Sequence, residues 1–495
     1  MFGKDAKPKD TIRVIRSILK RAGFSVGESS WKHPVPHVWS VHVRERACPR
    51  LCANGKGASR ELALASAFAE FMERLNTGYF FSDYTIGGPA GHSGFYFFPQ
   101  EKWFPVKGRR LPEGILDTHL RCFYDPENKL AAEHLVERIS GRTDICAVPF
   151  TRVRDGGEIY FPVSILDNLY ATNGMASGNT PGEARVQALS EILERYVKNK
   201  IIAGGLALPE IPRKYYACFS PVTAAIEALE RKGFRVLVLD ASLAGRYPVV
   251  NITLIERNST RCFLAFGAHP SFGIALTRTL TELLQGKDAD DFSGLQRPVA
   301  GRALAADSAN LEAHFIDSSG VVSWGFFEKK PDFPFRHVDF QGSRLEELAY
   351  LSSVIHKEHR DIYIADFAES GFYTCRIVVP GMSEVYPVDD LVFANYNRGM
   401  KFRKEILCLP SLGRKALARL LGKLNSGDAG DEEAVSHLIG IAFEETSPWT
   451  QVCFGELKML IQLAAGRTWD ARRQMEWCFD TGCFRKEIRP LYDCV

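Results

Sequence analysis

The chain has 495 residues, and its 62 basic and 59 acidic side chains leave a net charge of +3. That near balance gives no electrostatic reason for a nucleic-acid or anionic-membrane partner, so we expect no direct nucleic-acid binding. The N-terminal residues lack the apolar core of a signal peptide, and no apolar run is long enough to span a bilayer. The 12 cysteines are scattered, mostly in apolar segments, which predicts a reduced, cytoplasmic protein with structural thiols.

The first part of the chain alternates between helix and strand patterns. We predict a basic amphipathic helix over 8–22, a strand over 38–45 and a helix over 60–75, which follows a glycine turn in NGKGAS. The same order of strand, Asn-Gly turn and helix recurs in IYFPVSILDNLY, ATNGMASGNT and the segment from Gly178 to Lys200. This recurrence indicates a duplicated architecture.

The middle of the chain continues the alternation. AIEALERKGF is predicted as a helix, VLVLD and VVNITLIE as strands, and CFLAFGA as a strand that a His-Pro turn joins to another helix. Residues 287–340 show no clear pattern, and DIYIADF and YTCRIVVPG then resume strand character.

Beyond about residue 400 the strand signal fades. RKALARLLGKLN, EEAVSHLIGIAFEE and GELKMLIQLAAG are predicted as short helices. The sequence therefore predicts an α/β domain over 1–400, in which sheets pack with helices, and a small all-helical C-terminal segment over 401–495, for which a truncated tetratricopeptide-like fold is one candidate.

The helix after Asn179 carries an unusual row of polar side chains. Glu183, Gln187, Glu191, Glu194 and Arg195 fall within one stripe, and the opposite side is apolar. A solvated face stabilised by the i,i+4 pairs Glu191–Arg195 and Glu194–Lys198 would explain the row without any function.

Two other helices carry carboxylates in apolar surroundings. The helix at 60–75 is apolar on most sides, so Glu70 and Glu73 would leave water unless something compensates their charge. In IALTRTLTELLQG, Arg278 and Glu282 could form an internal salt bridge, which would also be a sufficient explanation.

Clustered carboxylates need cations, and oxygen ligands without thiolates or histidines favour Mg²⁺ over zinc. Mg²⁺ usually shares its ligands with substrate phosphates, which nearby arginines and lysines would meet. The pattern indicates a Mg-nucleotide site without a P-loop, since neither GxxxxGK[ST] nor GxGxxG occurs. Cys48 and Cys52 lack a second pair or a nearby histidine, so we predict no zinc or iron–sulfur centre.

Many segments resemble the YcaO family, whose nucleotide site is built from glutamate-bearing helices. The resemblance is strong over about 1–400 and looser beyond, and it is carried by NGKGAS, NGMASGNT, EARVQALSEILERYVKN, FGAHPSFG, HFIDSSG, PGMSEVYP and similar blocks. It implies a YcaO-type ATP-binding domain with ATP and Mg²⁺ as cofactors.

The resemblance also implies a set of site residues. Those implied to contact ATP are Lys4, Thr11, Ser66, Asn179, Gln187, Arg195 and Arg278, with a threonine at position 11 where the family pattern has a serine. The glutamates implied to hold Mg²⁺, or to meet phosphates through it, are Glu70, Glu73, Glu183, Glu191, Glu194 and Glu282. No general base is identified, and His269 could either shuttle a proton or only order the His-Pro turn.

Function within the family divides into branches. Azoline-forming members activate a backbone amide and typically end in a Pro-x-Pro-x-Pro tail, which the end of this sequence, RPLYDCV, does not show. The enterobacterial branch implies an accessory factor for β-methylthiolation of an aspartate in ribosomal protein S12, with a radical methylthiotransferase and this small-subunit ribosomal protein as partners, and a homodimer. Two alternatives stay open: an ATP-dependent backbone-activating enzyme for another substrate, and a scaffold that ATP only orders.

Overall fold

The computed structural model describes residues 3–81, 98, 100–136, 144–288, 294–389, 391, 399–427, 429–439, 448–485 and 489–492. The helices are α1 Pro8–Arg21, α2 Arg60–Asn76, α3 Thr118–Tyr124, α4 Val163–Ile165, α5 Pro181–Gly204, α6 Ser220–Arg231, α7 Phe272–Leu283, α8 Arg302–Ala306, α9 Ser308–Ile316, α10 Arg344–His356, α11 Met400–Leu407, α12 Arg414–Asn425, α13 Val435–Leu438, α14 Phe454–Ala464, α15 Thr468–Thr481 and α16 Arg489–Tyr492. Among the described residues, no helix combines the length and apolar character needed to cross a bilayer.

The strands are β1 Val26–Val35, β2 Val38–Glu45, β3 Cys52–Gly57, β4 Lys102–Phe104, β5 Ile145–Arg152, β6 Glu158–Pro162, β7 Met175–Gly178, β8 Phe234–Asp240, β9 Val249–Glu256, β10 Cys262–Ala268, β11 Tyr363–Phe367 and β12 Tyr373–Val378. The chain divides into two compact units. The first comprises Met1–Phe80, Pro149–Ile159 and Leu169–Val388, and the second comprises Phe81–Val148, Tyr160–Asn168 and Asp389–Val495.

The first unit contains antiparallel sheets covered by helices. One has the order β1-β2-β3, another the order β10-β9-β8, and in a third β12 lies between β11 and β7. The predicted sheets packed with helices are confirmed, and the strand pairs of these three sheets within the first unit are antiparallel.

Helix α5 is central to the core of the first unit. Its apolar side, with Leu189, Ile192 and Val197 fully buried, packs in one cluster with side chains of β10, β12 and α10. A second cluster joins α6 and α7 to β8, β9 and β10. Because the apolar side of α5 is buried in this way, its polar stripe faces elsewhere, as the sequence pattern predicted.

In the second unit, β4 pairs with the first residues of β5. The C-terminal part of this unit is helical, and its core gathers side chains of α11, α12, α13 and α14. The predicted helices over RKALARLLGKLN and GELKMLIQLAAG are present as α12 and α14. Of the predicted helix in EEAVSHLIGIAFEE only Val435–Leu438 is helical, and residues 440–445 lie outside the described residues.

Two local predictions are wrong. The NGKGAS segment is not a turn, because Asn54–Gly57 belongs to β3. Residues 163–170, predicted as a continuation of a strand, are helical as α4 and a following π-helical turn. The second Asn-Gly prediction is confirmed, since Gly174 adopts φ +81° in the turn before β7.

Candidate functional site

A cavity of about 1650 Å³ lies within the first unit. Every side chain that the sequence singled out for nucleotide or metal lines it, and these come from the N-terminal segment, four helices and the residue that follows β7. They are Lys4, Thr11, Ser66, Glu70, Glu73, Asn179, Glu183, Gln187, Glu191, Glu194, Arg195, Arg278 and Glu282. The structure thus brings together residues separated by more than two hundred positions in sequence.

The start of α5 is tied to the N-terminal segment through one buried carboxylate. Glu183, only 3% exposed, pairs with Lys4 at 3.1 Å and accepts hydrogen bonds from Asp5 N and Asn179 Nδ2, both at 3.0 Å. Thr11 Oγ1 donates to Asn179 Oδ1 at 2.8 Å. The N-cap side chain of Thr180, which accepts from Glu183 N at 3.1 Å, fixes where the helix begins.

Further along α5, Arg195 is held between a carboxylate and an aromatic ring. Its Nε donates to Glu191 Oε1 at 3.0 Å, and its Cζ lies 4.1 Å from the centre of the Phe315 ring. One of the two i,i+4 pairs expected of a solvated face is therefore present. Lys198 instead directs its ammonium to His314 O at 2.6 Å and Ser318 Oγ at 3.0 Å.

Helix α2 supplies two carboxylates whose ionisation is opposed. Burial, followed by the charges of Glu191 and Glu70, raises the pKa of Glu73 well above its usual range. Burial also raises the pKa values of Glu70 and Glu194. Glu70 is paired with Arg74 at 2.5 Å. A cluster of carboxylates that resist ionisation in this way is a site that favours a bound cation.

Helix α7 contributes one cation and one carboxylate that point to different partners. Burial lowers the pKa of Arg278 to about 10, and its Nη1 lies 3.5 Å from Ala268 O. Glu282 forms an ion pair with Lys56 of β3. The carboxylate of Glu282 is thus engaged by another element, rather than by the arginine one turn before it.

Two lysines of this cavity are not predicted from the sequence. Lys56 lies inside the NGKG segment, where the glycines are the more prominent signal, and Lys198 is predicted only as the partner of a surface pair. Burial lowers the pKa of both, that of Lys198 to about 7. One sequence signal could have identified Lys56: it lies between two glycines, in a strand next to a carboxylate-bearing helix.

His269 lies outside the lining of this cavity. It is 1% exposed, its Nδ1 accepts from Ser271 N at 3.0 Å, and burial lowers its pKa to about 2. A neutral imidazole bonded to the turn backbone favours the turn-ordering interpretation over a proton shuttle.

The donor set fits a metal that arrives with phosphates. Within the part of the chain that the structure describes, no group of three or more His, Cys, Asp and Glu side chains could hold a metal ion by itself. The carboxylates line one cavity together with four cationic side chains, those of Lys4, Lys56, Arg195 and Arg278. Mg²⁺ is usually bound through one or two carboxylates and substrate phosphates, which this mixture of carboxylates and cations suits.

Comparison with known proteins agrees with this chemistry. A family model described as "YcaO cyclodehydratase", ATP- and Mg²⁺-binding, matches residues 54–383. The chain belongs to the YcaO family. A second model, described as the YcaO cyclodehydratase C-terminal domain, matches residues 399–495. The predicted family and the predicted cofactors, ATP and Mg²⁺, are confirmed.

Three known proteins are similar to this chain. The "Ribosomal protein S12 methylthiotransferase accessory factor YcaO" of Escherichia coli (strain K12) is 44% identical over 500 residues, which cover 100% of this chain and 85% of that protein. A solved heterocyclase in complex with substrate and cofactor has a TM-score of 0.49 at 17% identity, covering 77% of this chain and 53% of its own. YcaO from Methanopyrus kandleri, bound with AMPPCP and Mg²⁺, has a TM-score of 0.47 at 18% identity, covering 77% and 92%.

Proposed function

We propose that this YcaO protein is a Mg-ATP-dependent accessory factor for β-methylthiolation of an aspartate in ribosomal protein S12. The observation that carries the proposal is the 44% identity, across the whole chain, to an Escherichia coli protein named as a ribosomal protein S12 methylthiotransferase accessory factor. The cavity of the first unit supports it, because it gathers carboxylates and cations suited to a metal-bound triphosphate.

The carboxylates are assigned to the metal. Glu70, Glu73, Glu191, Glu194 and Glu282 hold Mg²⁺, directly or through phosphate oxygens, and the raised pKa values of Glu70, Glu73 and Glu194 support this assignment. Glu183 is assigned to the same set, and its ion pair with Lys4, which is assigned to the phosphates, supports this.

The cations and neutral side chains are assigned to the nucleotide. Lys4, Arg195 and Arg278 meet phosphate oxygens, for which guanidinium groups are well suited. The hydrogen-bonding side chains assigned to ATP are Thr11, Ser66, Asn179 and Gln187. The bond from Thr11 to Asn179 supports this, because it keeps both side chains at the cavity wall.

The chemistry that bound Mg-ATP supplies is phosphoryl transfer, either to water or to a backbone amide oxygen. The residues of this chain position and neutralise the phosphates, and Arg195 is pre-oriented for that by Glu191 and Phe315. The partners in this proposal are a radical methylthiotransferase and ribosomal protein S12 in the cytoplasm. The homodimer stays a prediction.

A second candidate is an ATP-dependent enzyme that activates the backbone of another peptide. The description of the matching family model as a cyclodehydratase favours this alternative. It requires the same Mg-ATP site, so the two candidates differ in the peptide that stimulates ATP consumption.

ATP consumption measured with purified partners tests the proposal. We expect little turnover with the protein by itself and a rise of at least about tenfold when the methylthiotransferase and S12 are both present. The Glu194→Gln variant is the control and should show no rise. Turnover that ignores S12 but responds to other peptides would favour the second candidate. Tight partner binding without any ATP consumption would indicate a scaffold.

A further inference from the structure

Lys56 is held at the cavity by the strand on which it lies. In β3 it pairs with Ser40 of β2, and glycines occupy the positions on either side. A Cβ on Gly55 would lie 2.1 Å from Ala63 O, and one on Gly57 would lie 2.6 Å from Leu62 Cβ, so both glycines face α2. Because side chains alternate along a strand, Lys56 faces away from this contact and lines the cavity.

The ammonium of Lys56 pairs with a carboxylate of one helix and lies within electrostatic range of carboxylates on two others. It forms an ion pair with Glu282 of α7. It also interacts electrostatically with Glu194 and Glu191 of α5 and with Glu70 of α2. The cations Lys4, Arg74 and Arg195, by comparison, form ion pairs with Glu183, Glu70 and Glu191 respectively.

We propose that Lys56 is a chain-borne counter-cation that makes metal binding by this site depend on the nucleotide. The inference rests on the metal roles proposed above for the carboxylates. A free divalent cation that enters the cluster meets the positive charge of Lys56 at short range, where solvent and salt between the two charges screen the repulsion least.

A bound triphosphate changes that balance. Its negative charges offset both the divalent cation and the ammonium, and Lys56 gains a phosphate oxygen as a partner. The metal and the nucleotide therefore bind with positive coupling, which linkage requires to be equal in both directions. The consequence is that the carboxylate cluster stays free of stray divalent cations and takes up its metal together with ATP.

The test measures binding of Mn²⁺, a paramagnetic substitute for Mg²⁺, in the absence of nucleotide. Electron paramagnetic resonance reports free Mn²⁺ in the wild type and in Lys56→Met and Lys56→Gln. We expect the two neutral variants to bind Mn²⁺ at least about tenfold more tightly than the wild type, because one repelling charge is gone. Titration of ATP with and without Mn²⁺ should show a smaller coupling in both variants.

Two further variants separate charge from packing. Lys56→Arg keeps the positive charge and should bind Mn²⁺ as weakly as the wild type does. Lys32→Met removes a lysine that lines the same cavity from β1 but pairs with Asp288, and it should leave Mn²⁺ binding unchanged. Melting temperatures establish that each variant is folded, and either neutral variant suffices for the comparison.

The outcomes distinguish this inference from the proposed site. Equal Mn²⁺ affinity in the wild type and the neutral variants, with Mg-ATP binding intact in the wild type, would overturn the role of Lys56 and leave the site standing. A wild type that binds no Mg-ATP at all would overturn both. Tighter Mn²⁺ binding in the neutral variants and not in Lys56→Arg supports the role.

Discussion

Glu73 shows how a single residue connects stability to ligand binding. It is half-buried in the cavity wall, and its ionisation is opposed by burial and by Glu191 and Glu70. Such a carboxylate costs the folded protein free energy at neutral pH, and a bound cation removes that cost. Residues that destabilise the ligand-free fold in this way are characteristic of binding sites.

Replacing Glu73 with glutamine should stabilise the ligand-free protein. The pKa of Glu73 in the folded protein is raised above the usual 4.5, so the folded state binds the proton more tightly than the unfolded state does. The protein therefore loses stability as the pH rises from 4.5 through the raised pKa of Glu73. In chelator, Glu73→Gln should therefore melt at the wild-type temperature near pH 4.5 and at least about 2 °C higher at neutral pH.

The control for this melting experiment is Glu230→Gln, which changes an exposed glutamate of α6 outside the cavity lining. At neutral pH its melting temperature should stay within about 2 °C of the wild-type value, because an exposed side chain outside the site contributes little to stability. A Glu73→Gln variant that melts below the wild type at neutral pH would show that Glu73 stabilises the ligand-free fold. That result would contradict the role of this carboxylate as a cation ligand.

Arg278 and Glu282 provide a second test at the residue scale. A purely structural pair would be restored by the double exchange Arg278→Glu with Glu282→Arg. Since Glu282 pairs with Lys56 and Arg278 lies against Ala268 O, the exchange would place a guanidinium beside a lysine and a carboxylate toward phosphate. Each single change should weaken Mg-ATP binding at least about tenfold, and the double variant should show no recovery.

The exchange is compared with the same exchange at Arg213 and Glu227, a more exposed pair whose atoms lie 3.0 Å apart. That control should leave ATP affinity unchanged. Recovery of ATP affinity in the double variant of α7 would mean that Glu282 is not a metal ligand.

Among the secondary-structure elements, the sequence predicts the helices better than it predicts β3, the strand before α2. Periodic apolar residues and the capping residues Thr180 and Pro181 make α5 recognisable without tertiary information. The NGKG segment has the composition of a turn, because glycine usually supplies unusual backbone angles. In the structure its glycines serve close packing of β3 on α2, which depends on contacts with residues of another element and cannot be read from local sequence.

Gly55 gives the prediction that belongs to this scale. A methyl group at position 55 would meet Ala63 O at 2.1 Å and Ala67 N at 2.3 Å, so strand and helix must separate. We expect Gly55→Ala to destabilise the protein by about 1–3 kcal/mol and to weaken Mg-ATP binding, because Glu70 and Glu73 move with α2. Chemical denaturation and calorimetry measure the two effects.

Gly301→Ala is the matched control, since a Cβ at that position has open space. It should change stability by less than about 1 kcal/mol and leave ATP affinity at the wild-type value. A Gly55→Ala protein as stable as this control would contradict the packing role of the glycine.

For the whole molecule, the sequence predicts which residues line a common site, but it does not predict the ion pairs and hydrogen bonds that each of them forms. Carboxylates on three helices indicate a shared metal site, and the structure places those residues around one cavity. Lys56 and Lys198 are missed because their environment is created by segments far away in sequence, such as α7 and the residues around His314. The division of the chain at residue 400 stays a prediction.

The cysteines allow a prediction about the composition of the whole protein. The cysteines that test this prediction most severely are in the second unit. There the Cys453 thiol is hydrogen-bonded with that of Cys478, and Cys453 Sγ donates to Cys483 O at 2.9 Å. We nevertheless expect neither zinc nor an iron–sulfur cluster. Elemental analysis of protein purified without chelator should find less than about 0.1 zinc or iron per chain, and a stoichiometric amount would contradict this expectation.

The Mg-ATP site is tested most directly by a calorimetric titration of Mg-ATP into the wild type, Glu73→Ala and Glu194→Ala. If the carboxylates of α2 and α5 hold the metal-bound triphosphate in this cavity, the wild type binds and each variant loses at least about a hundredfold in affinity. Melting curves in chelator should show that both variants remain folded. Wild-type affinity in either variant would contradict the metal role assigned to that glutamate.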